Sequence, residues 1–120
     1  VEAGLWWRQF KERNSHLQVD WQGDAKAGQI LPGPMFDSVA ENLLQNALAK
    51  RLRQPVLGIC VVFANGSLTV SDDGQAIEPS LVATLLGLYH AALQADGVGY
   101  SLALTENRTG RVAFTLAPRD

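Results

Sequence analysis

The chain has 120 residues, of which 47% are hydrophobic and 18% charged, and its formal net charge is −2. This length and composition are typical of one folded domain with a buried core. The acidic balance provides no basic surface for a phosphate backbone, so nucleic acid is not expected as a partner. The longest apolar run, Val56–Ala64, is shorter than the ~20 residues that cross a bilayer. We therefore expect any membrane attachment to lie outside this chain.

The first half of the chain predicts two helices with a strand between them. A helix is expected over Leu5–Asn14, in which one face carries Leu5, Trp6, Gln9 and Phe10 and the charged residues lie opposite. Polar and apolar residues alternate over His16–Trp21, as in a half-buried strand. The strongest helix is expected between Pro34 and Pro55, because proline is favoured at a first helical turn and ends a helix at the other side.

The second half predicts two hairpins with a helix between them. Val56–Phe63 is continuously apolar, as in a strand buried on both faces, and Asn65-Gly66 is the strongest local signal for a hairpin turn. A helix is expected over Pro79–Ala95, followed by a last hairpin of Tyr100–Glu106 and Arg111–Leu116. This order predicts an α+β fold, a two-layer α/β sandwich with helices on one face of a mixed, mostly antiparallel sheet.

A polar stripe runs along the predicted long helix. Asn42, Asn46 and Lys50 occur at i, i+4 and i+8 and therefore share one helix face. Asparagine favours helices weakly, so this pair contributes little to folding. A carboxamide oxygen is a good ligand for Mg²⁺, and a lysine one turn further along can reach a phosphate. Taken alone, such a stripe is more often a solvated helix face.

A second group of residues follows a predicted strand, in the sequence Val70–Pro79. The carboxylate of Asp72, at a strand end, can accept the exocyclic N–H of adenine, and Gly74 lets backbone approach a ring. Alone, this segment is no more than an Asp-Gly turn. The two groups in this order are more informative than either one singly.

Together these segments resemble the GHKL ATPase superfamily in its histidine-kinase form. Phe36–Lys50, which ends in Glu-Asn-Leu-Leu-Gln-Asn-Ala-Leu-Ala-Lys, is similar to the N box. Val70–Pro79 is similar to the first glycine box, and Arg111–Pro118 to the closing strand. The resemblance covers about Leu17 to Pro118. It implies a Bergerat-type fold with an ATP site between the helices and the sheet.

The resemblance also implies roles for individual residues. Asn46 would coordinate Mg²⁺, and Asn42 would line the phosphate side. Asp72 would bind the adenine amino group, while Gly74 would let the backbone close on the base. The implied ATP-binding set is Asn42, Asn46, Lys50, Asp72, Gly74, Ala76 and Gly87. No catalytic residue is assigned to this chain, because the phosphoacceptor histidine would lie on a separate, upstream dimerisation domain.

The sequence departs from the family pattern at four points. Asp73 stands where the family usually has asparagine or a small residue, and Ala76 replaces the second glycine. Lys50 follows the metal asparagine by four residues rather than three. The next helix is expected at about Pro79, which leaves almost no lid. The second glycine box is then either Gly87, which we favour slightly, or Gly97–Gly99. In either alignment few backbone N–H groups would contact a triphosphate.

The function implied is the ATP-binding catalytic domain of a two-component sensor histidine kinase, which transfers the γ-phosphate of ATP, with Mg²⁺, to a histidine elsewhere. Residues 1–15 would end a linker helix, and residues 16–120 would form a cytoplasmic ATP-binding domain that works with a response regulator.

One alternative is a degenerate domain that binds little nucleotide and serves as a scaffold for the response regulator. Another is an ATP hydrolase of the same superfamily. Hydrolysis is disfavoured because Asn42 occupies the position of the glutamate that activates water there, and Glu41 points about 100° away around the helix.

Overall fold

A computed structural model describes residues 1–82 and 86–119 of the chain. The elements in chain order are α1 (Ala3–Arg13), β1 (Asp20–Gly23), α2 (Gly33–Arg53), β2 (Ile59–Ala64), β3 (Ser67–Asp72), α3 (Pro79–Val82), α4 (Leu86–Asp96), β4 (Tyr100–Arg108) and β5 (Arg111–Pro118). The strands form a five-stranded sheet in the order β1-β2-β3-β5-β4. The pair β1 and β2 is parallel, and the other neighbouring pairs are antiparallel. The α+β sandwich expected from the sequence is confirmed.

The core lies between the helices and one face of the sheet, and an aromatic cluster is its largest part. Trp7 of α1 lies 5.5 Å from Phe63 of β2, measured between ring centroids. Trp6 meets Phe36 of α2 edge-on at 5.1 Å. Such aromatic pairs add to the stabilisation that burial provides. They show that α1 packs into the same core as the sheet.

The buried face of α1 differs from the one expected. The residues that face the core are Ala3, Trp6, Trp7 and Phe10, at the i, i+3, i+4, i+7 spacing of a helix. Leu5, which the sequence placed on this face, is 42% exposed. Trp7 was therefore overlooked, and Leu5 and the exposed Gln9 were wrongly placed on this face, because the two candidate stripes are neighbours around the helix.

The two strands nearest α1 are shorter than expected. The strand predicted over His16–Trp21 begins only at Asp20, since the preceding backbone turns back on itself, with the N–H of Leu17 donating to the carbonyl of Asn14. The strand predicted from Val56 begins at Ile59, and Val56 is 96% exposed. Inside β2 the residues alternate between buried and less buried positions. The strand is therefore covered by helices on one face, and the prediction of burial on both faces was wrong.

The structure confirms the two hairpins expected from the sequence, β2–β3 and β4–β5. Asn65 and Gly66 have φ values of 54° and 77°, the left-handed geometry that a two-residue hairpin turn needs at both positions. The last turn is tighter than expected, because Arg108 still pairs with Arg111 and only Thr109-Gly110 remains in the turn. The helix expected over Pro79–Ala95 is described as α3 and α4, and residues 83–85 lie outside the described residues. None of the helices described is both long enough and apolar enough to cross a membrane.

The packing of α1 predicts that its aromatic face stabilises the whole domain. Phe10→Ala should lower the free energy of unfolding by about 3–5 kcal/mol, because the ring is fully buried in the core. Chemical denaturation followed by circular dichroism measures this change. Leu5→Ala on the same helix is the control and should cost far less. Equal, small effects of both substitutions would mean that α1 is dispensable to the fold.

Candidate functional site

A cavity of about 310 Å³ opens between the C-terminal half of α2, the end of β3 and the loop of residues 73–78. This volume lies at the lower end of the range for small-molecule pockets. Its charged lining, among the described residues, consists of Lys50, Arg53, Asp72 and Glu78, so positive and negative groups balance. Its other lining residues are Leu43, Asn46, Ala47, Ala49, Gln54, Val70, Gln75, Ala76, Ile77, Leu81 and Phe114.

A buried ion pair crosses this cavity. The ammonium Nζ of Lys50 lies 2.8 Å from Oδ1 of Asp72, and both side chains are 9% exposed. The same ammonium donates a hydrogen bond of 2.6 Å to the carbonyl of Gln75. Oδ1 of Asp72 also accepts a bond from the backbone N–H of Gly74 at 3.0 Å. The pair therefore joins α2, β3 and the 73–78 loop at a single point.

Gly74 packs closely against the C-terminal end of α2. A Cβ on this residue would lie 2.4 Å from Cδ1 of Leu57 and 2.5 Å from Oε1 of Gln54. Its carbonyl accepts a hydrogen bond of 2.9 Å from the N–H of Gly110 in the last turn. A side chain at this position would therefore have to displace the ends of the Leu57 and Gln54 side chains.

The β4–β5 hairpin holds the rest of the 73–78 loop. The side chain of Asn107 accepts from the N–H of Ile77 at 2.8 Å and donates to its carbonyl at 2.7 Å. The hydroxyl of Thr109 accepts from the N–H of Ala76 at 3.3 Å. With its backbone groups satisfied in this way, the loop forms a fixed wall of the cavity.

Asn46 is the one polar side chain of the stripe that reaches the cavity without a partner. Its Nδ2 atom is buried and forms no hydrogen bond. The two ends of an amide exchange by a simple flip, so this group can present either its N–H or its oxygen to a ligand. A single amide oxygen suits Mg²⁺, which usually takes few protein ligands and completes its shell with water and phosphate. Within the described residues, no cluster of histidine, cysteine and acidic side chains could hold a metal by itself.

Asn42 lies outside the cavity. It lines a separate, shallow polar groove with its neighbours along α2, which are Pro34, Asp37, Ser38, Glu41 and Gln45. The i+4 spacing does put Asn42 and Asn46 on one side of the helix, but the cavity reaches only the C-terminal half of α2. Glu41 also belongs to this groove and accepts a hydrogen bond from Gln45 at 2.9 Å.

Two of the departures from the family pattern have a local explanation. Asp73 is tied to Gly58 at the edge of the sheet, where its Oδ1 accepts from the N–H of Gly58 at 2.8 Å. Its charge is therefore not among the groups that line the cavity. Ala76 lines the cavity with an ordinary backbone, since Asn65 is the only non-glycine residue with positive φ in the described ranges. Alanine is thus tolerated at this position without strain.

The two candidates for a second glycine box fall in different places. Gly87 lies in the first turn of α4. Gly97–Gly99 forms the turn into β4, where Tyr100 pairs with Pro118. That end of the sheet is opposite to the end where Asp72 pairs with Val112. Gly97–Gly99 is therefore remote from the cavity.

Gln54 and Arg53 were missed by the sequence reading. The side-chain oxygen of Gln54 accepts from the N–H of Gln75 at 3.0 Å, so it closes one end of the cavity. The i+4 series that gave Asn46 and Lys50 reaches Gln54 at its next step, and extending it would have found this residue. Arg53 lies three residues after Lys50, at the other spacing that places residues on neighbouring positions of a helix face.

The single thiol plays no part in this cavity. Cys60 is half-buried in β2, and its Sγ donates to Oδ2 of Asp20 at 3.8 Å. Burial first, and then the nearby charge of Asp20, raise the pKa of the Cys60 thiol. A thiol held in its neutral form is a poor nucleophile, so thiol chemistry is not expected here.

Known structures share this architecture, although sequence comparisons find nothing. No protein-family model and no curated protein match the chain. The cytoplasmic segment of histidine kinase QseC matches with a TM-score of 0.68 at 14% identity, over 100% of this chain and 76% of that one. The catalytic domain of histidine kinase ThkA matches with a TM-score of 0.64 at 20% identity, over 99% and 95%. A histidine kinase domain from the blue-light activated kinase of Erythrobacter litoralis matches with a TM-score of 0.62 at 21% identity, over 98% and 65%. The chain therefore has the fold of histidine-kinase catalytic domains.

The tight approach at Gly74 gives a prediction about stability. Gly74→Ala should destabilise the domain by about 1 kcal/mol, the low end of the cost of overpacking, because the new methyl group displaces the ends of Leu57 and Gln54 and disturbs the hydrogen bond from the Gln75 N–H. Thermal unfolding measures the change. Gly97→Ala is the matched control, since its Cβ would meet nothing closer than 3.6 Å. A Gly74→Ala domain as stable as the wild type would show that the loop can move away from α2 freely.

Proposed function

We propose that this chain is the adenine-nucleotide-binding catalytic domain of a sensor histidine kinase, which supplies the γ-phosphate of Mg²⁺-ATP to a histidine on another domain. The fold supports this proposal, and the carboxylate of Asp72 at the cavity carries it. That carboxylate is buried at a strand end, and its orientation is fixed by hydrogen bonds to Oδ1. A buried, oriented acceptor of this kind suits the exocyclic amino group of a purine.

The phosphate side of the proposed site depends on Asn46. Its unpartnered amide faces the cavity one turn before the ion pair. Catalysis of phosphoryl transfer depends mainly on positioning the reacting groups and neutralising their charge. Asn46 would hold the metal, and the metal would neutralise the phosphates. The phosphoacceptor histidine and the response regulator belong to the parts of such a system that are not in this chain.

ATP hydrolysis is the least supported of the functions considered for this fold. The acidic side chain nearest to Asn46 in the helix sequence, Glu41, lies in the separate groove rather than in the cavity. It is therefore not placed to activate a water molecule on a bound phosphate. The scaffold alternative has better support, because the 73–78 loop is fixed by the β4–β5 hairpin and leads almost directly into α3. Binding of nucleotide separates this alternative from the kinase proposal.

Loss of the Asp72 carboxylate should remove most of the affinity for adenine. Asp72→Asn is expected to weaken ADP binding by about ten-fold or more, as a charged hydrogen bond is worth ~1.5–3 kcal/mol. Isothermal titration calorimetry measures it, with circular dichroism to confirm that the variant is folded. Asp73→Asn is the matched control, because that neighbouring carboxylate bonds to Gly58, and it should bind ADP normally. Unchanged affinity in a folded Asp72→Asn domain would remove Asp72 from the site.

The metal proposal makes a separate prediction. Asn46→Ala should abolish the gain in ATP affinity that Mg²⁺ gives to the wild type, and should leave adenosine affinity nearly unchanged. Titrations with ATP, with and without Mg²⁺, provide the comparison. Asn42→Ala removes the same side chain one turn earlier and should keep the Mg²⁺ effect, since that position is outside the cavity. If wild-type protein binds neither ATP nor ADP at millimolar concentration, the result contradicts the kinase proposal and favours the scaffold alternative.

A further inference from the structure

We propose that Lys50 is a positioning residue for the base-reading carboxylate of Asp72, rather than a contact to phosphate. This inference rests on the proposed function, because it assigns a role within the same nucleotide site. It concerns the only cation that is buried in the cavity lining among the described residues. The sequence pattern alone assigned that cation to the phosphates.

The contacts of the ammonium group carry the inference. Nζ of Lys50 donates to Oδ1 of Asp72 at 2.8 Å and to the carbonyl of Gln75 at 2.6 Å. Two of its three N–H donors are therefore engaged. The side chain is 9% exposed, so water does little to compensate for a broken bond. Moving the ammonium to a solvated phosphate would break this buried pair and leave the Asp72 charge uncompensated.

The effect on Asp72 is one of orientation. Oδ1 accepts from both Lys50 and the N–H of Gly74. Within the part of the chain that the structure describes, no hydrogen bond is formed to Oδ2. Holding one carboxylate oxygen from two directions fixes the plane of the group, and it leaves the second oxygen as the acceptor for an exocyclic N–H. Lys50 thereby acts on the base through Asp72.

The shift of the lysine along α2 explains why its role differs from the expected one. The residue three positions after Asn46 is Ala49, and Lys50 follows one position later. One residue along a helix is a rotation of about 100°, which turns the lysine toward the end of β3. Ala49 lines the cavity without a charge. A phosphate contact at that position is thus missing, while the ion pair with Asp72 is gained.

Two nucleosides and one nucleotide test the proposal by titration calorimetry. Adenosine and purine riboside differ only in the 6-amino group, so the ratio of their dissociation constants reports the contact to Asp72. In Lys50→Met this 6-amino preference should fall about ten-fold, toward unity. The ratio of ATP to adenosine affinity should stay at its wild-type value, because Lys50 makes no phosphate contact. If Lys50 bound phosphate instead, Lys50→Met would lower the ratio of ATP to adenosine affinity and leave the 6-amino preference unchanged. That result would overturn the inference.

Lys26→Met is the matched control, because it removes an exposed lysine that does not line the cavity, and it should leave the 6-amino preference intact. If Lys50→Met does not fold, the inference can be tested on the wild-type domain by NMR of the Lys50 side chain. Its signals must first be resolved from those of Lys11 and Lys26. Adenosine should shift the Lys50 signals as much as ADP does. A shift produced by ADP and not by adenosine would overturn the inference but leave the proposed function standing. Absence of binding by adenosine, ADP and ATP to the wild type would overturn both.

Discussion

One buried ion pair sets the geometry of the cavity. Lys50 and Asp72 are both almost completely withdrawn from water, and a charge in such a place is tolerated only with its partner and with further hydrogen bonds. The carbonyl of Gln75 and the N–H of Gly74 supply those bonds. This requirement brings the end of β3 and the start of the 73–78 loop against α2. The glycine at position 74 lies close to the side chains of Leu57 and Gln54 as a result.

The second constraint comes from the opposite side of the loop. Asn107 and Thr109 of the last hairpin satisfy the backbone of Ala76 and Ile77, so the loop is ordered when the domain folds. A wall formed in this way needs no further ordering when a ligand binds, which removes one entropic cost of association. A long mobile lid would behave differently, because its ordering opposes binding. Among the described residues, this wall of the cavity is thus already in place before any ligand binds.

The sequence identified residues of the candidate site better than it identified their contacts. The order of the asparagine stripe and the Asp72 segment was enough to bring Asn46, Lys50 and Asp72 into one cavity. It did not separate Asn42 from that group, because helical periodicity gives a face but not the length of face that a cavity covers. It also did not indicate the ion pair that Lys50 forms with Asp72. The carboxylate that it contacts lies 22 residues along the chain, and no local pattern connects the two.

The sequence by itself determined the fold class, the order of the elements and the Asn65-Gly66 turn. These features depend on periodicity and turn chemistry, which operate over a few neighbouring residues. Only the tertiary structure decided that α1 belongs to the core, that Val56 is exposed and that β2 is covered on one face. It also decided which partner the buried ammonium of Lys50 takes. Each of these outcomes depends on which distant surfaces meet, because burial and ion pairing are satisfied between elements rather than within them.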